Sequence, residues 1–114
     1  MEIPELIMDK EHKNQYHIYL FYMEGKFWAF GYSVYYLSII YPVLKVAKET
    51  FEEHGEYMPC MHVSELYLLE LSDLYDTLVS DTYIQISAPP VAYGCREGYG
   101  EWCMTLSTNI NSLY

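Results

Sequence analysis

Apolar and polar positions change their spacing several times along this chain, and each change marks an element. In residues 2–13, Ile3, Leu6, Ile7 and Lys10 fall at helical steps, with Glu2, Glu5, Asp9 and Glu11 mostly off that stripe. A short amphipathic helix is predicted, with Pro4 tolerated in its first turn. Residues 16–23, Tyr-His-Ile-Tyr-Leu-Phe-Tyr-Met, are rich in β-branched and aromatic side chains on both faces and predict a central strand. Glu24-Gly25-Lys26 signals a turn in which Gly25 is free to take positive φ, and 27–31 returns as the second arm of a hairpin.

Beyond the hairpin, Ser33 is a candidate N-cap for a helix from Val34 to about Glu53, kinked or divided at Pro42 and stopped at Gly55. Residues 57–71 permit a strand by alternation and a helix from Ser64 by spacing, and periodicity does not separate the two. Ser72-Asp73 predicts a helix cap with the helix running through Val79. Residues 82–87 predict a strand, 91–100 a glycine-bearing loop, and 101–106 an added edge strand. The expected fold is α/β in the broad sense, specifically α+β: one domain over 1–114, with an ordered core of roughly 2–106. A mixed sheet with a central hairpin lies under about three helices.

Composition narrows the class. With 114 residues, 52% hydrophobic and 18% aromatic, the chain has material for one core and is unlike an acidic disordered tail. The net charge of −10 opposes electrostatic coating of nucleic acid. That charge is regional: residues 49–81 carry nine acids and no Lys or Arg, whereas residues 1–48 are balanced. Three cysteines at scattered spacings, and an N-terminus without an apolar h-region, point to reduced thiols and a cytoplasmic location. The uncharged run 27–44 is long enough for a membrane span. Its Gly31, Ser33, Ser38, Pro42 and four tyrosines read instead as a strand entering a buried helix.

Candidate chemistry is sparse. His54, Cys60 and His62 with Cys95 and Cys103 lack the paired-knuckle spacing of a structural zinc site, so neither a metal nor a cofactor is expected. No nucleophile elbow, phosphate loop or dinucleotide fingerprint is present, and a catalytic role ranks below two binding roles. The 14 tyrosines read first as core and sheet surface, and only second as a stacking platform for bases.

The segment Leu20-Phe21-Tyr22-Met23-Glu24-Gly25-Lys26-Phe27-Trp28-Ala29-Phe30-Gly31 resembles the N-terminal mismatch-recognition domain of the MutS family. Met58-Pro59-Cys60-Met61 and the passage from Leu78-Val79 into a strand at 83–86 agree with the same pattern. The resemblance implies a stand-alone domain contacting DNA through the 24–29 hairpin, at Lys26, Phe27 and Trp28. In the family a Phe stacks on the mispaired base and a Glu hydrogen-bonds it. Phe27 matches the first, Ala29 stands in place of the second, and Lys26 replaces an Asp. The alternative is an acidic protein-interaction module of inhibitor or immunity type, binding a basic partner through Glu52, Glu53, Glu56, Asp73 and Asp76.

Overall fold

A computed structural model describes residues 4–44, 46–51 and 56–106; for 47–51, 56 and 57 the account is of the backbone alone. The hairpin organises it. Strand β1 (His17–Met23) turns at Glu24 and Gly25, with φ of +54° and +77°, and returns as β2 (Lys26–Phe30). Two consecutive positive φ values match the right-handed strand twist of a tight hairpin, and glycine takes the second without a Cβ penalty. Trp28 lies opposite Phe21 and Lys26 opposite Met23.

Six strands follow the order β3-β4-β2-β1-β6-β5, where β3 is Ala47–Phe51, β4 Glu56–Val63, β5 Thr77–Val79 and β6 Tyr83–Ser87. The hairpin is central and the α+β class holds, but all five pairings are antiparallel rather than mixed. Pro59 sits one residue beyond the last β2–β4 pair, Phe30 with Cys60, a position that tolerates a residue without an amide donor.

Helices clothe both faces of the sheet. On one face, Ile18, Leu20, Ala29, Met61, Val63 and Ile86 pack under α2 (Gly31–Ile40), α3 (Glu65–Leu74) and α4 (Pro90–Tyr93). On the other, Tyr19, Phe21, Phe30, Met58 and Cys60 meet Ile7 and Met8 of α1 (Glu5–His12). A 3₁₀ turn (Arg96–Gly98) leads into α5 (Tyr99–Thr105), whose Tyr99 and Trp102 join the α2 side.

Several expectations change. The buried positions of α1 are Ile7, Met8 and Glu11, so the stripe is rotated and Leu6 is 70% exposed. The α2 helix starts at Gly31 and ends at Ile40, because Pro42 disfavours helical backbone in Tyr41, the residue before it; 47–51 then forms a strand, not a helix. Residues 57–71 hold both alternatives in succession, a strand to Val63 and a helix from Glu65 with Ser64 as N-cap. That helix stops at Leu74. Ser72 lies inside it, donating to the Leu69 carbonyl at 2.8 Å, and Thr77–Val79 forms a strand because β6 offers a free edge. Residues 90–105 are two short helices and a 3₁₀ turn in place of a loop and an edge strand. Ala92, Tyr99 and Trp102 there find apolar partners on α2 that no local pattern displays.

Candidate functional site

The hairpin residues do not converge. Consecutive strand residues face opposite sides of a sheet, so Phe27 and Trp28 diverge. Phe27 packs edge-on against Tyr22 at 5.1 Å between centroids, on the α2 side. Trp28 faces the α1 side near His62, and its Nε1–H donates to the Met23 carbonyl at 3.1 Å, closing the hairpin across its own turn. Both rings are half-buried, and Lys26 is exposed beside the turn with Glu24.

The acidic third is also divided. Glu52 and Glu53, like His54, lie outside the described residues. Glu56 opens β4, which lies at the opposite side of the sheet from β5. Asp73 and Asp76 are exposed at the end of α3 and the entrance to β5, with Glu65, Glu70 and Asp81 exposed nearby in the chain. The antiparallel pairings make β4 and β5 run in the same direction, so α3 is the crossover carrying the chain between them.

This crossover is thinly anchored. Leu71 is its only buried residue. Tyr67 meets Tyr41 at 4.7 Å, and the Tyr41 hydroxyl donates to Glu70 Oε1 at 2.6 Å. Desolvation, and then this bond to a carboxylate, push the Tyr41 phenol well above its ordinary value. The outer side of α3 is apolar: Leu66 is 79% exposed and Leu69 61%. Leu74, Leu78 and Val79 continue the exposure into β5, giving this stretch five of the eleven exposed large apolar residues among those described. Beside β5 lies a shallow groove of about 300 Å³, lined by Tyr22, Phe27, Val79, Asp81 and Ile84 among others. An apolar strip rimmed by carboxylates is the composition of a docking surface.

A second constellation was not visible in the sequence. Glu11 is fully buried and sits over the start of α2, where Phe30, the N-cap residue, offers no side-chain bond. The Ser33 amide donates to Glu11 Oε1 at 3.1 Å, and the Ser33 hydroxyl donates to Oε2 at 2.5 Å. Asn14 Nδ2 donates to Oε1 at 3.2 Å, and the Tyr19 amide donates to Ser33 Oγ at 2.8 Å. Burial raises the Glu11 carboxyl to about 7, against the opposing pull of the bonds from Ser33 and Asn14. Gly31, at φ +55°, permits this approach: a Cβ there would stand 3.1 Å from Glu11 Cβ. Ser33 is thus a partner for a carboxylate on another helix rather than its own helix's N-cap. With every polar atom of this cluster engaged, its chemistry is that of a tie between elements.

Tyrosines mostly pack. Tyr19, Tyr35 and Tyr36 are buried, and Tyr32 stacks on Tyr99 at 4.0 Å with the Arg96 guanidinium over the Tyr32 ring at 4.3 Å. Among the described residues no three His, Cys, Asp or Glu side chains gather to hold a metal ion, and no helix is long and apolar enough to cross a membrane. Cys60 is buried within β4 and His62 is exposed two residues on. Comparisons with known protein families, with curated proteins and with solved structures find no significant match to this chain.

Proposed function

We propose that the protein is a non-catalytic binding module whose α3–β5 face takes a basic, apolar segment of a partner protein. The observation that carries this reading is the exposure of Leu66 and Leu69 on a helix that also presents Glu65 and Asp73. Leucines held in water are favourable to cover, and a surface without Lys or Arg attracts positive charge and repels phosphates. A cytoplasmic, reducing location belongs to the same reading, supported by the exposed thiol of Cys95. The test is capture from a lysate of the source organism, with cross-linking. The wild type should retain a basic protein that a Leu66→Ser, Leu69→Ser, Asp73→Lys variant of equal stability does not. Equal capture by both chains removes the reading.

A second reading places DNA at the hairpin, on the exposure of Lys26 next to Phe27 and on the resemblance to the mismatch-recognition domain. It expects salt-dependent binding to duplexes with a mispair, weakened by Phe27→Ala. Anisotropy titrations at low salt that find no affinity for any duplex remove it. The first reading has the stronger support, because Phe27 and Trp28 are both engaged within the fold.

A further inference from the structure

The open edge of β5 supplies a specific mode for the proposed partner. Among the described residues β5 pairs with β6 alone and ends the sheet. The Ser87 amide donates to the Asp76 carbonyl at 2.9 Å and the Ser80 amide to the Tyr83 carbonyl at 2.8 Å. Alternation along an antiparallel ladder therefore turns Asp76, Leu78 and Ser80 toward β6. Thr77 and Val79 direct their N–H and C=O groups to the outside of the sheet. All three β5 residues are exposed, and among the described residues the strand carries no Lys, Pro or bulge, only its shortness.

We propose that this edge binds an extended, lysine- or arginine-bearing polypeptide segment as an added outer strand, an inference that rests on the basic-partner reading above. Charge selects the occupant. Asp73, Asp76 and Asp81 are all exposed around β5, and no Lys or Arg occurs between residues 49 and 81. A second copy would bring the same carboxylates to the same edge, so self-pairing is opposed while a basic strand is attracted. The groove beside the edge supplies the apolar component. Val79 lines it with Tyr22, Phe27 and Ile84, so an apolar side chain of the incoming strand beside Val79 has a place to be covered. Backbone hydrogen bonds to Thr77 and Val79 would then supply register, and the groove and carboxylates selectivity.

The probe is a fluorescent synthetic peptide alternating Lys and Val, titrated against the 114-residue chain by anisotropy and by amide NMR. Binding should protect the Thr77 and Val79 amides from exchange and should weaken with salt. It should fall about tenfold with Val79→Pro, which deletes an outward donor while leaving the bonds to β6 intact. N-methylation of the peptide along one edge should weaken it similarly, and that control does not depend on the variant folding. If the peptide instead perturbs Leu66 and Leu69, with Thr77 and Val79 exchanging as before, strand addition is overturned and the acidic-surface reading stands. If the peptide binds nowhere on the chain at millimolar concentration, both fall. If sedimentation of the free protein gives a dimer that Val79→Pro dissolves, a second copy covers the edge and the proposal is overturned.

Discussion

Ser33, in the first turn of α2, donates its hydroxyl hydrogen to Glu11 Oε2 at 2.5 Å while accepting the Tyr19 amide at 2.8 Å. One side chain thus joins the helix on one face of the sheet, the helix on the other, and the central strand. The α2 helix has no side-chain cap from its own sequence, and Glu11 supplies from α1 a carboxyl oxygen that accepts the first-turn Ser33 amide.

Glu11→Ala should lower stability by about 3 kcal/mol, combining a lost cap with buried donors left without an acceptor. Ser33→Ala should cost about 2 kcal/mol, since the Tyr19 amide also loses its acceptor. Urea denaturation of each variant checks this, and a change below about 0.5 kcal/mol for either would place the site among ordinary surface positions.

Stability should fall as pH rises from about 4.5 to about 7. In the folded chain Glu11 keeps its proton up to about 7, whereas its ordinary value is 4.5. The folded state binds the extra proton across that window, so deprotonation favours unfolding, with no further change from this group above it. Glu11→Gln should flatten this slope. His17 acts in the opposite sense: burial, and then Lys10, lower its folded value below 6.5, so its contribution is lost as pH falls through the lowered value. Comparing the urea midpoints of wild type and Glu11→Gln at pH 5 and pH 8 isolates the Glu11 part.

The hairpin depends on its turn and on one indole. Gly25→Ala should cost about 1 kcal/mol through positive φ alone, because nothing within 4 Å of the added Cβ resists it. Trp28→Phe removes the donor to the Met23 carbonyl and should cost about 1 kcal/mol. Thermal melts of the two single variants and the double variant test whether the losses couple.

On α3, Leu71→Ala should cost about 3 kcal/mol and speed amide exchange along the helix, because Leu71 is its one fully buried anchor. Leu66→Ser and Leu69→Ser, on the exposed side, should each change stability by less than about 0.5 kcal/mol. Equal effects at Leu66 and Leu71 would contradict this division of the helix into an anchored and an open side.

Local chemistry alone was enough for the hairpin, the strand at Tyr83–Ser87 and the first helix. Each is written in adjacent residues: β-branched and aromatic runs around Gly25, alternation after Asp81, helical spacing after Pro4. The regional acidity was equally legible, because it is a count. The candidate surface was only half legible. Asp73 and Asp76 stand on it, but no local pattern marks Leu66 and Leu69 beside them as exposed. A helical stripe of leucines looks the same whether its partner is the sheet or water, and only the packing of α3 through Leu71 into the core leaves Leu66 and Leu69 uncovered.

What tertiary structure decided follows one physical rule: a segment with two acceptable local states takes the one that its neighbours can pair or bury. Residues 77–79 became a strand because β6 had an open side, and 99–105 a helix because Tyr32 and Tyr35 had rings to cover. Glu11 and Ser33 stand 22 residues apart, each unremarkable in its own context, and no periodicity relates them. Their pairing exists only where α1 and α2 meet around the end of the sheet. There burial makes a lone carboxylate costly, and the first-turn amides of α2 make it useful.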